Sequence, residues 1–189
     1  FRPAANNPYL NVTPTHDFNV GYDFNHESQW TKEYVKQTLQ YWIDEYRVDG
    51  FRFDLSKGFT QNVTVGNIGA WNAYDQSRVD ILNDYKNTIW NATSNDIYMI
   101  LEHLGDNAEE TVLANDGFML WGKMSDEFNQ NSMGFNSNNN VFRSYFLSRG
   151  WNEQHLVAYA ESHDEQRLMN RNLAFGNTSN PAHNIRILP

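Results

Sequence analysis

Three stretches of this chain pair an apolar run with acidic residues at its end. Val48-Asp49-Gly50-Phe51-Arg52-Phe53-Asp54 carries an arginine two residues before an aspartate. Ile97-Tyr98-Met99-Ile100-Leu101 runs into Glu102, followed by His103. Leu156-Val157-Ala158-Tyr159-Ala160 runs into Glu161-Ser162-His163-Asp164. Side chains alternate along a strand, so Arg52 and Asp54 are expected on one face and Phe51, Phe53 and Leu55 on the other. An arginine in that position can keep the aspartate ionised and oriented, as a carboxylate nucleophile requires. Asp54, Glu102 and Asp164 are therefore the candidate chemical set.

The elements that must position them follow from the hydrophobic pattern. Val35, Leu39, Trp42, Ile43 and Tyr46 recur at three- and four-residue spacing, which predicts a helix over 31–46 with one apolar face and Thr31 as N-cap. Val79, Leu82, Tyr85 and Ile89 predict a second helix over about 74–91, after a Gly/Asn-rich loop. Further expectations are a helix over 106–115, a weaker strand at 116–121, a polar loop from Asn129 to Asn140 and a helical stretch at Val141–Ser148. The tail after Arg167 reads as a helix that gives way to loop. Residues 1–30 are polar and turn-rich, a long loop or the tail of an inserted subdomain. Residues 31–189 form the second region.

Alternating helices and strands imply βα units and a parallel sheet, an α/β fold. Acidic residues at the C-terminal ends of its strands place the chemistry on one rim. The separations Asp54–Glu102 and Glu102–Asp164 are 48 and 62 residues. With roughly 30 residues or more per βα unit, they put the three acids on the first, second and fourth strands of the segment. No glycine-rich phosphate loop follows any strand, which disfavours a nucleotide fold.

Composition narrows the partners. The 189 residues suffice for one ordinary domain, and 14 Lys+Arg against 23 Asp+Glu give a formal net charge of -9. That balance argues against nucleic-acid or anionic-membrane partners. With no cysteine there is neither a disulfide nor a thiolate metal site. No run of 18 apolar residues occurs, so no transmembrane span is expected, and no signal peptide is read.

Asp49-Gly50-Phe51-Arg52-Phe53-Asp54, Ile100-Leu101-Glu102 and Glu161-Ser162-His163-Asp164-Glu165 together resemble the strand-four, strand-five and strand-seven motifs of the α-amylase superfamily, glycoside hydrolase family 13. The resemblance implies a partial (β/α)8 barrel, approximately strands four to seven with their helices. It makes Asp54 the nucleophile, Glu102 the acid/base and Asp164 the transition-state stabiliser. Arg52 would orient Asp54, and His163 would contact the sugar. Lys57 is either a basic subsite residue or structural, and His103 either a site wall or a loop residue. Trp71, Trp121 and Trp151 are either sugar platforms or packing residues.

The resemblance implies hydrolysis of α-1,4-glucans through a covalent glycosyl-enzyme. Glucan branching, debranching or a non-catalytic glucan-binding role are the alternatives. Strands one to three and eight are not found. The chain is thus expected to be a fragment, completed by the missing barrel half or by self-association. No cofactor is expected in this chain. Calcium is implied only for a full-length parent, with Asp17 or Asp23 as an acidic ligand. An extracytoplasmic location follows from the resemblance alone.

Overall fold

The computed structural model describes residues 3–18, 22–93 and 97–180. The expected loop or subdomain tail over residues 1–30 and the tail to residue 189 thus fall partly outside the described residues. The chain divides into two compact units, Phe1–Leu120 and Trp121–Pro189. No helix among the described residues is long and apolar enough to cross a membrane.

In the first unit, α1 (Gln29–Tyr46) leads into β1 (Gly50–Phe53). A 3-10 turn at Ser56–Gly58 and the short α2 (Ile68–Asn72) interrupt the expected loop. Then come α3 (Gln76–Thr93), β2 (Tyr98–Leu101), α4 (Asn107–Asn115) and β3 (Met119–Lys123). β1 pairs with β2 in parallel, Gly50 opposite Tyr98 and Phe53 opposite Leu101. β2 pairs with β3 in parallel through Ile100 with Met119 and Leu101 with Leu120. A Cβ on Gly50 would stand 2.8 Å from both Cβ and O of Tyr98, so only glycine lets β1 start this pairing.

β3 continues into the second unit, where α5 (Ser125–Met133), β4 (Leu156–Tyr159) and α6 (Leu168–Phe175) follow. In the first unit the strand order is β1-β2-β3, and in the second β3 and β4 are neighbours. The Met124 amide donates to Tyr159 O at 3.1 Å, and α5 packs against α6.

The core of the first unit contains Val79, Leu82, Tyr85 and Ile89 of α3, buried as their spacing predicts, together with Met99, Leu101, Leu113 and Phe118. Leu39 and Ile43 of α1 are buried too, but Trp42 and Tyr46 are exposed and stack on each other at 4.7 Å. The helix begins two residues earlier than expected, after Ser28. Thr31 is therefore inside it, and its hydroxyl donates to Tyr9 O at 3.0 Å.

His26 is part of this core. Its ring stacks on Phe59 at 3.7 Å, and Nδ1 lies 2.9 Å from the Tyr85 hydroxyl. Burial lowers its pKa to about 3. An unfolded histidine takes up a proton near 6.5, whereas folded His26 stays neutral. Stability is therefore expected to fall as pH drops below about 6.5, by about 1.4 kcal/mol per pH unit at this residue. Urea melts at pH 7 and pH 5 check this, with His26→Gln expected to give the flatter dependence.

One expectation about the second unit is corrected and one refined. Residues 129–133 belong to α5 rather than to a polar loop. Val141–Ser148 is helical as expected, but as two short 3-10 helices, Val141–Ser144 and Phe146–Arg149, rather than one continuous helix.

Candidate active site

β1 ends at Phe53 because Leu55 takes a left-handed conformation, φ 43°. That residue breaks the expected alternation and turns the chain into the Ser56–Gly58 turn. Asp54 is left at the strand terminus, facing solvent. β2 delivers Glu102 to the neighbouring strand end in matching register. Main-chain bonds lock the two ends together. The Glu102 amide donates to Phe53 O at 3.1 Å, and the Ser56 amide donates to Glu102 O at 3.0 Å.

One guanidinium joins the two carboxyls. Arg52 Nη1 donates to Asp54 Oδ1, and Arg52 Nη2 donates to Glu102 Oε2. The Leu55 amide also donates to Glu102 Oε2, at 3.3 Å. Both carboxyls thus meet the same guanidinium. Burial is the main reason that the Glu102 pKa stands above the usual carboxylate range. The Leu55 amide and Arg52 oppose this, and the Asp54 carboxyl reinforces it. A carboxyl with a raised pKa thus stands beside an exposed one.

A cavity of about 240 Å³ opens beside Asp54, walled by His16, Phe18, Asp23, Phe24 and Phe59 among others. His16 is 2% exposed, and its Nε2 lies 3.3 Å from Asp23 Oδ2. Its Nδ1 is buried without a hydrogen-bond partner. This lining was not legible in the sequence, since His16 lies far from the strand motifs in a polar stretch.

Lys57 and His103 turn inward. Lys57 is buried, and its ammonium donates to Asn72 Oδ1 at 2.6 Å and Leu104 O at 2.8 Å. It also lies 4.1 Å above the Trp71 ring. Burial, with Arg78 nearby, lowers its pKa to about 8. His103 is fully buried. Of the alternatives that the sequence leaves open for these two residues, the geometry supports the structural one. Trp71 is likewise interior, stacked between His16 at 4.9 Å and Phe18 at 4.8 Å.

In the second unit, His163 and Asp164 follow β4 as exposed neighbours, with His163 Nε2 3.4 Å from Asp164 Oδ1. Their turn is organised by Glu165, which the sequence did not single out. Glu165 accepts from the Ser162 hydroxyl at 2.7 Å and pairs with Lys123 at 3.0 Å. Burial opposes ionisation of Glu165, but the Ser162 hydroxyl and Lys123 outweigh it and hold the pKa low. The Trp121 ring meets Tyr159 edge-on at 5.2 Å, and Trp151 is buried under Arg149.

The acids implied for calcium do not assemble a site. Both carboxylate oxygens of Asp17 accept from the Gly66 amide, at 3.0 and 2.9 Å, and Asp23 faces His16. Among the described residues no three metal-ligating side chains converge.

Asp54 and Glu102 thus stand at adjacent parallel strand ends, joined by one arginine. No protein-family model matches the chain. Isoamylase SU1, chloroplastic, from Zea mays is 33% identical over 69 residues, 34% of this chain and 9% of that protein. Pullulanase from Bacillus subtilis (strain 168) is 40% identical over 42 residues, 22% of this chain and 6% of that protein. Among solved structures, pullulanase from Anoxybacillus sp. LM18-11 complexed with maltotriose matches 90% of this chain and 26% of its own, with a TM-score of 0.59 and 17% identity. Its complex with maltotetraose matches 94% and 27%, with a TM-score of 0.61 and 18% identity. At such identities the structural likeness is one of fold. The matched segments span about a tenth or less of these curated relatives and about a quarter of the solved chains. The chain is similar to α-amylase-superfamily enzymes, as its strand-end motifs predict.

Proposed function

We propose that this chain is part of a longer retaining glycoside hydrolase acting on α-1,4-glucans, contributing approximately strands four to seven of a (β/α)8 barrel. The observation that carries this reading is the Arg52 fork, which touches both Asp54 and Glu102. It keeps the carboxyls close, in the manner of retaining enzymes, whose pair stands about 5–5.5 Å apart, and not the wider inverting pair. Asp54 attacks the anomeric carbon as the glycosidic C–O bond breaks, and the Glu102 proton passes to the leaving oxygen. Glu102 then takes a proton from water, whose oxygen displaces Asp54 from the anomeric carbon. The raised pKa of Glu102 suits the first half of this cycle. Asp164 and His163, exposed together after β4, are assigned to the sugar hydroxyls. The cavity beside Asp54 would receive part of the glucan.

The names of the relatives, isoamylase and pullulanase, favour a second reading, debranching at α-1,6 bonds with the same carboxyls. The full-length protein should be incubated with maltoheptaose and with pullulan while proton NMR follows the released anomer. Early appearance of the α-anomer is the expected result. Cleavage of pullulan alone would select the debranching reading. A β-anomer, or no product from either glucan, would refute the proposal.

A further inference from the structure

His103 sits where the chemistry of the site would be set without touching substrate. It directly follows Glu102, and its ring reaches across to Ser56, two residues beyond Asp54. Nδ1 lies 3.0 Å from Ser56 Oγ, and Nε2 lies 2.6 Å from Glu109 Oε1. His103, Ser56 and Glu109 are all fully buried. The Glu109 carboxylate is fixed in turn by Arg78, through Nε at 2.6 Å and Nη2 at 2.8 Å, and by the Asp75 amide at 2.6 Å.

These contacts settle the tautomer. Burial opposes ionisation of Glu109, but His103 and Arg78 hold its pKa low, so it only accepts hydrogen bonds. Nε2 of His103 must therefore carry the hydrogen. Burial also lowers the His103 pKa, outweighing Glu109, while Arg78 and Lys57 act in the same direction as burial. The ring is neutral, so Nδ1 is an acceptor, and the Ser56 hydroxyl hydrogen faces two acceptors, His103 Nδ1 at 3.0 Å and Glu102 O at 3.2 Å. A neutral histidine with that orientation is a fixed strut between two loops.

We propose that His103 is a positioning residue that ties the loop after β1 to the loop after β2 and so holds Glu102 beside Asp54. Resting on the glycosidase reading above, its effect on activity acts through Glu102 rather than through the sugar. Complete burial of the ring excludes direct contact with a bound glucan in this arrangement.

The test uses the full-length protein and two readouts. The first is the titration of the Glu102 carboxyl, followed by carbon-detected NMR in wild type, His103→Leu, Ser56→Ala and His103→Asn. Without the strut, water reaches Glu102 and weakens the burial that raises its pKa. The titration is expected to move down by about half a pH unit or more in His103→Leu and Ser56→Ala. It should partly recover in His103→Asn, whose amide oxygen can accept near the Nδ1 position. The second readout is the pH profile of kcat/KM on maltoheptaose. Its alkaline limb, which reports the acid, is expected to shift down with Glu102, and kcat to fall about 10²-fold with little change in KM. A merely structural histidine would scale the profile without moving the limb.

An unmoved Glu102 titration in the variants would overturn the proposal. If His103→Leu does not fold, Ser56→Ala decides. If the wild type cleaves no glucan, the glycosidase reading falls, while the NMR titration still decides the positioning role.

Discussion

Asp54→Asn in the full-length protein is expected to reduce kcat on maltoheptaose by about 10³-fold or more, the scale of loss when a nucleophile is removed. The side chain changes by one atom and is already exposed, so folding should be unaffected. Binding of maltoheptaose, measured by calorimetry, should survive. That combination separates a catalytic aspartate from one that only braces Arg52. Unchanged activity would remove Asp54 from the mechanism. Lost binding together with lost activity would make it a substrate anchor instead.

Arg78→Leu is expected to destabilise the protein by about 3–5 kcal/mol, as breaking a buried ion pair from one side does. Arg78 is 1% exposed and Glu109 0%. The guanidinium also donates to Lys57 O at 2.8 Å, Trp71 O at 3.2 Å and Ala73 O at 3.0 Å. The substitution thus strands a carboxylate and three carbonyls where water does not reach. Urea denaturation of wild type and variant gives the difference directly. A loss below about 1 kcal/mol, the scale of an exposed pair, would show that water enters this network. Arg78→Lys should recover little, because an ammonium cannot reproduce the planar fork that meets Glu109 with two donors.

The strands were legible because each is a short, mostly apolar run followed by acidic residues, at Gly50–Phe53, Tyr98–Leu101 and Leu156–Tyr159. Helix α3 was legible from its stripe, and the same stripe concealed its most consequential member. Arg78 precedes Leu82, Tyr85 and Ile89 on one face, at four, seven and eleven residues, so a charge on the buried side was visible in the spacing. Its partner Glu109 was not, because acids in a first helical turn ordinarily face solvent. Helix α5 was missed because Ser125–Met133 is rich in Asn, Gln and Ser, which read as loop. The inward turn of Lys57 and His103 depends on contacts to Asn72, Leu104, Ser56 and Glu109, and no local pattern encodes them.

The spacing of Asp54 and Glu102 is set in part by peptide groups, through Glu102 N to Phe53 O and Ser56 N to Glu102 O. Main-chain bonds of this kind are indifferent to which side chains stand at positions 54 and 102. On the proposed reading, substitution of both acids would leave the strand ends joined, so a sugar-cutting and a sugar-holding form would differ by one or two codons rather than by a change of fold.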